Sequence, residues 1–407
     1  MKIIEKITAD FNNITGDEND PLHAFRTESF NEFKVKGIPS SSEEFWKYTN
    51  PSVVNDFNFG LGLFTDYEDD KFDIILANGK LAKVSNNLNA RTIQKGLSDG
   101  IISSDFFEVH NNPLINLNGA FMLEGVVIKF DENTEQEVKI LNVIDNTKQE
   151  QIIHPRIIVT AGKNCNVSLH EEIKFLGKKK NLVNSVTNFQ IDEGANVEHI
   201  ITDDFSENTY HLSNVIVKQS KDSQYISYNY SVAKNLSRKD FLIELKEKGA
   251  HCDLRGIYIA DGKNHIDHHT IIEHEKENCT SNELYKGILA DKSTGVFNGR
   301  IHVHNDAQKT DAIQSNQNLL LSDNAIIHTK PELEIYADDV KCTHGATVGQ
   351  LDEKGIFYLR ARGIKLKDAQ KMMMRAYVGE VLSGIKNQDS KDSLLERIIE
   401  NIPDGGE

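Results

Sequence analysis

Proline is scarce in this chain, with seven in 407 residues, and so are cysteine (four) and tryptophan (one). The cysteines stand far apart, at 165, 252, 279 and 342, and no Cys-x-x-Cys pair occurs. That spacing excludes a zinc finger or a thioredoxin-type site. It suits a reducing cytoplasm better than a disulfide framework, so the cytoplasm is the expected location. No apolar run approaches the ~20 residues of a membrane span. The opening segment MKIIEKITADFNN has no long apolar stretch of the kind a secretory leader needs. Positive charge is also in deficit: 46 Lys+Arg face 62 Asp+Glu, a net charge of −16. Nucleic-acid binding demands basic patches and is not expected. The short run Lys178-Lys179-Lys180 reads as a solvated loop.

Familiar catalytic engines are missing as well. There is no G-x-x-x-x-G-K-[ST] phosphate loop, so the chain itself is not expected to hydrolyse ATP. No G-x-G-x-x-G opens a helix after a strand, and no G-x-S-x-G nucleophile elbow is present. The expectation is a chain that is not an enzyme on its own.

What the sequence does contain falls into three textures, with expected domains at 1–95, 96–350 and 351–407. The first is mixed and mainly helical. Ser41, Ser42 and Glu43-Glu44 before Phe45-Trp46 read as a capped helix start with an acidic first turn. Trp46 reads as core. Ile74-Ile75-Leu76 and Leu81 flank Asn78-Gly79, a dipeptide suited to a type I′ hairpin turn. From about 100 to 350 short alternating runs dominate. Tyr210, Leu212, Asn214 and Ile216 share one face, with Ser213, Val215 and Val217 on the other. Val296, Asn298, Arg300, His302 and His304 alternate with Phe297, Ile301 and Val303. Asn, Asp, Gly and Ser punctuate these runs. This is too much strand for one simple sandwich, and a stacked solenoid would bury each coil on the next. Periodicity alone leaves a β-helix, a large barrel and a double sandwich open.

The last texture is helical. Asp352 caps a helix reaching Arg362, and Gly363 fits its end. Asp368 is placed to cap the next helix. Met373, Tyr377, Val381 and Ile385 recur every four residues, with Met374, Val378 and Leu382 beside them. Leu394, Leu395, Ile398, Ile399 and Ile402 form a final stripe. These stripes are too small for a core alone, so they must pack on the β body, on each other or on a partner. The Met372-Met373-Met374 run suits core filling or an adaptable docking surface.

Two constellations carry ligand chemistry. His265, His268, His269 and His274 crowd one region with Asp267 and Glu273. Strand alternation splits them, 265 and 269 to one side and 268 and 274 to the other. His302-x-His304 has the spacing of a cupin pair, but Gln308 and Lys309 stand where a cupin glutamate belongs. The sharper pair is Cys342 and His344, at the end of an extended run in YADDVKCTHGATVGQLDEKGIFYLRAR (Tyr336–Arg362). Alternation puts both on one face. A thiol and an imidazole together suit a soft or borderline metal, and Gly345 leaves the approach open. A buried thiol beside a hydrogen-bonded histidine is the competing reading.

The runs DAQKTDAIQSNQNLLLSDNA (Asp306–Ala325), Pro331-Glu-Leu-Glu and ADDVKCTHGATVGQLD closely resemble the SufB/SufD family. These are scaffold proteins of iron–sulfur cluster assembly by the SUF system. His154-Pro155-Arg156, Ser281-x-x-Leu284-Tyr285-Lys286-Gly287, Gly299-Arg300, Glu44-Phe45-Trp46-Lys47-Tyr48-Thr49 and the presumed strand Leu117-Asn118-Gly119-Ala120-Phe121 extend the likeness over roughly residues 20–385. Gly345 stands where the SufB sister has an acidic residue, which favours the SufD branch. The resemblance implies a right-handed parallel β-helix core flanked by N- and C-terminal helical domains. It implies a heterodimer with a SufB-like paralogue, a SufC-like ABC-type ATPase bound through the C-terminal helices, and a homodimer when the chain is isolated. It also implies a transient iron–sulfur cluster held at the heterodimer interface, with His344 and Cys342 as this chain's ligands. Such a cluster needs about four ligands, so a second chain must supply the rest. No motif decides for or against a flavin, and Cys165, Cys252 and Cys279 receive no role. The rival from another class is a metal-dependent β-solenoid enzyme using the His265–His274 region. A passive adhesin-like solenoid is disfavoured by the lack of a secretory leader.

Overall fold

The computed structural model describes residues 5, 7–11, 19–56, 59–63, 65–204 and 207–403. Two long sheets run side by side, one of eleven strands and one of ten, and successive strands alternate between them. Apart from the antiparallel pairings of Ile74–Ala77 with Lys80–Val84 and of Ala90–Arg91 with Val126–Phe130, every ladder among the described residues is parallel, so along the body each strand pairs with the strand one coil earlier and one coil later. The alternatives left open by periodicity are thereby resolved: the body is a parallel β-solenoid. The first sheet ends on Ile326–Ile335 and the second on Lys341–Gly349.

The turn residues explain how the coils close. Asn133, Asn164, Gly194, Asp222, Gly249, Asn278 and Lys309 all have positive φ and recur at one corner. The amide N–H of each donates to a carbonyl in the next coil, as in Asn164 to Glu193, Asp222 to Lys248 and Lys309 to Asp339. Asn, Asp and Gly tolerate this left-handed conformation best. The punctuation in the sequence is therefore a stacked column of corners. Between corners, inward positions fill one continuous core that includes Val217, Phe241, Ile243, Cys252, Ile272, Phe297 and Ile301.

The Asn78-Gly79 hairpin forms as expected. Ile74–Ala77 and Lys80–Val84 pair antiparallel across Asn78 (φ 48°) and Gly79 (φ 81°), and Ile74–Ala77 extends the second sheet through a parallel ladder to Glu135–Ile144. Other local readings are corrected. Leu117-Asn118-Gly119-Ala120-Phe121 is not a strand; it completes the helix Pro113–Phe121. Asn112 caps that helix by accepting from the Leu114 amide, and Pro113 fits the first turn, where its missing N–H costs nothing. Ser41 to Trp46 forms only a short 3₁₀ turn, Glu44–Trp46, without a side-chain cap. Asp368 lies in the first turn of Leu366–Gly379, which begins after Lys365 and has no side-chain cap. Asp352 does cap Glu353–Arg360, accepting from the Lys354 and Gly355 amides.

The helix Pro113–Phe121 is clamped from both ends. The Arg26 guanidinium, on the helix His23–Lys36, donates to the Met122 carbonyl at 2.5 Å, placing a cation at the negative end of the helix dipole. Gly119 lets the two helices touch: a Cβ there would lie 2.7 Å from the Phe25 ring. The Asn118 amide donates to the carbonyls of Pro155 (2.9 Å) and Asn184 (2.8 Å) on the solenoid wall. Trp46 is buried as expected, with the Arg238 guanidinium 3.6 Å from its ring centre. At the far end, Met374, Val378, Leu382, Leu394 and Ile398 cover Ile200, Tyr228, Tyr230 and Ile257 on the outer face of the second sheet. Of the methionine run, Met374 is core and Met372 is exposed. Asn118→Ala removes two buried hydrogen bonds, although the Pro155 carbonyl keeps the Val186 amide as a partner. It is expected to cost about 2–3 kcal/mol in urea unfolding; a change below ~0.5 kcal/mol would mean the clamp is not stabilising.

Candidate functional site

The final strand, Lys341–Gly349, pairs with Asp311–Leu320 and forms the edge of its sheet. Cys342 stands opposite Ala312 and His344 opposite Gln314. Ala312, Gln314 and Asn316 are the buried, inward positions of their strand, whereas Asp311 and Ile313 face out. Cys342 and His344 therefore prolong an inward column on one face, as alternation predicts. Their place along the strand is corrected. They lie near its start rather than at its end, because the ladder carries the extended backbone on through Gly345 to Gly349.

With no further coil stacked on this edge, the two side chains differ in environment. Cys342 is half-buried and packs on the main core, while His344 is exposed. A Cβ at Gly345 would meet nothing within 4 Å, so the approach is open. Burial, and then the charge of Asp311, pushes the Cys342 thiol above its ordinary pKa. At neutral pH it is therefore a thiol, and it becomes a thiolate ligand only when a metal displaces the proton.

Directly behind His344 lies a feature the sequence reading missed. Gln314 donates at 2.6 Å to Glu283, a fully buried carboxyl one coil further in. Burial pushes Glu283 up to about 7. Further polar groups continue inward. Tyr258 donates to Asn318 at 2.5 Å, Asn316 donates to Tyr258 at 3.1 Å, and His268 Nδ1 lies 3.3 Å from Asn229. Lys239 donates to Asn229 at 3.0 Å and ion-pairs with Asp203. Burial works against the Asp203 charge, but Lys239 beside it holds the carboxyl below its usual range. Single polar letters inside alternating runs were the only signal of this column.

The histidine-rich region divides as expected. His268 and His274 point inward; burial pushes both down to about 3, and His274 bonds Ser281 at 2.9 Å. His265 and His269 face the N-terminal segment, where Thr49 reaches His265 (2.7 Å) and Asp267 (2.5 Å). These four histidines face two ways and so do not converge on one metal site. The pair dismissed as a failed cupin fares differently. Glu273, His302 and His304 bring three ligand atoms within 4.8 Å of one another, the one such group of three or more among the described residues. The missing acid arrives from the preceding coil. Cys165, Cys252 and Cys279 are buried, with thiols pushed up by burial, and no disulfide is present among the described residues.

A two-sheet parallel solenoid with an open, donor-bearing last coil and helices at both ends is the class of protein this architecture defines. The profile of the family described as "SUF system FeS cluster assembly, SufBD core domain" matches residues 143–377. The chain belongs to this SufB/SufD family of iron–sulfur cluster assembly proteins, on its SufD branch. An iron–sulfur cluster assembly protein SufD of Escherichia coli is 26% identical over 388 residues, covering 91% of this chain and 90% of the relative. A SufBD family protein of Synechocystis is 32% identical over 287 residues, 68% of this chain and 63% of the relative. The chloroplastic protein ABCI7 of Arabidopsis thaliana is 29% identical over 256 residues, 62% of this chain and 54% of the relative. This chain thus spans less than two thirds of the Synechocystis and Arabidopsis proteins. No helix among the described residues is long and apolar enough to cross a membrane.

Two outcomes follow from the titrating groups. The unfolded chain ionises Glu283 near the ordinary value of about 4.3, the folded one only near 7. Between those values the unfolded state holds fewer protons, so stability falls as pH rises and levels off above about 7. Glu283→Gln is expected to be more stable than the parent at pH ~8, by on the order of 3 kcal/mol, with the gain vanishing near pH ~4.5. A pH-independent difference would contradict the buried neutral carboxyl. For Cys342, the alkylation rate with iodoacetamide should have its pH inflection above that of free cysteine; an inflection below it would show an activated thiolate.

Proposed function

We propose that this chain is a SufD-type, non-catalytic scaffold subunit acting in the cytoplasm, and that Cys342 and His344 are its share of a site for the nascent iron–sulfur cluster. The cluster is cargo rather than a resident cofactor. The observation that carries this reading is the last coil. It presents one thiol and one imidazole in line with a buried column, on a strand with a free edge. Two donors fall short of the about four that a cluster takes, and a free strand edge is a template for another chain. A SufB-like paralogue pairing on this edge would supply the remaining ligands. Exposed Ile326, Ile335, Tyr336 and Val348 on the same coil fit such a contact. An isolated chain would pair with itself through the same surface.

The C-terminal helices are the proposed seat of a SufC-like ATPase. Their inner face covers the solenoid, yet Phe357 (74% exposed), Tyr358 (56%) and Leu366 (45%) remain outward, and Glu353–Arg360 buries no residue. ATP-driven movement of the ATPase would then be passed to the scaffold and open the interfacial site.

His344→Ala is expected to leave the melting temperature and pairing with the SufB-like protein unchanged, while cluster formation in the assembled complex falls sharply. Normal cluster loading by this variant would refute the ligand role. Phe357→Ala with Tyr358→Ala should weaken binding of the ATPase subunit about 10-fold or more in calorimetry, because exposed aromatic anchors dominate interfaces, without lowering the melting temperature. Undiminished binding would move the ATPase site elsewhere.

A further inference from the structure

We propose that Glu273, His302 and His304 form a binding site for one divalent transition-metal ion, separate from the terminal-coil edge. The geometry comes from the coil stacking. His302 lies on Thr294–Val303 and His304 just beyond that strand, so the two imidazoles emerge two residues apart on one side. Glu273 is the register partner of His302 one coil earlier. His302 Nδ1 lies 2.6 Å and His304 Nε2 3.0 Å from the same carboxylate oxygen, Oε2 of Glu273. The imidazole rings are 4.2 Å apart, and Tyr336 stands edge-on to His302 at 5.5 Å.

Three nitrogen and oxygen donors thus already converge on one point. Around a zinc-sized ion with bonds of about 2.0–2.1 Å, tetrahedral donors lie about 3.3 Å apart, so the His302–Glu273 contact must open by roughly 0.7 Å and the His304–Glu273 contact by about 0.3 Å. Two imidazoles and a carboxylate suit a borderline ion such as Zn²⁺, Co²⁺ or Fe²⁺ rather than Ca²⁺ or Mg²⁺. Among the described residues no lysine or arginine ion-pairs with Glu273, so no resident cation competes. Glu334, on the far side of His302 in the same column, ion-pairs with Arg300 at 3.7 Å and so adds little net charge. Glu273 and His302 are about one-fifth exposed and His304 more so, so an ion can enter from solvent and a water or anion can complete its coordination.

The test is titration of the untagged full-length chain with Co²⁺ alone, followed by visible absorption, with Zn²⁺ calorimetry in parallel. One ion per chain is expected, with d–d bands and no sulfur-to-cobalt charge transfer. His302→Gln with His304→Gln, and Glu273→Gln separately, should weaken binding roughly 100-fold or more and keep the parent's circular dichroism. Cys342→Ser with His344→Ala should bind Co²⁺ as the parent does. Binding that survives loss of both histidines, or loss of the d–d signal in the Cys342/His344 variant, would overturn the assignment. The outcome is independent of whether the last coil holds a cluster.

Discussion

Everything in this molecule depends on the in-register parallel ladder. Each coil hydrogen-bonds to the one before it, residue against residue, so a position in one strand is held above its counterpart in the next. Side chains are thereby sorted into columns. A column is stable when inward positions are apolar or mutually hydrogen-bonded, and when each corner carries a residue that accepts positive φ. Asn164, Gly194, Asp222, Gly249 and Asn278 meet that second condition with low strain, and Lys309 meets it at some cost.

The same constraint produces the chemistry. An inward column cannot stop without exposing its last member, and here the last members are Cys342 and His344. Immediately behind them Gln314 and Glu283 hold each other in the interior, where burial raises the carboxyl to about 7 and leaves about half of it uncharged at neutral pH. An ionised acid there would repel electron-rich thiolate or sulfide at the edge, whereas a neutral one does not. On the outer wall, stacking brings Glu273 to two histidines that sequence alone placed near each other but not near an acid.

The limits of sequence reading follow the same logic. Alternation, the Asn78-Gly79 turn, the Asp352 cap and the C-terminal stripes are local, and all of them were legible. So was the split of His265 and His269 from His268 and His274, since parity along one strand suffices. The likeness to the SufB/SufD family fixed the choice of solenoid over barrel. What was not legible depends on register between coils. Glu273 meets His302 only because their strands pair without a shift. Glu283 meets Gln314 for the same reason. Leu117 to Phe121 reads as a strand through its likeness to a family segment, but the Asn112 cap, Pro113 and contact with the helix His23–Lys36 make it helical.

The central claim is that the solenoid's last coil is where a second scaffold chain completes the cluster site. The most direct measurement is amide hydrogen exchange on this chain, alone and with a SufB-like partner. The account predicts that protection rises chiefly in Lys341–Gly349 and Ile326–Ile335, the two edge strands. Protection that rises elsewhere and leaves both strands unchanged would contradict it.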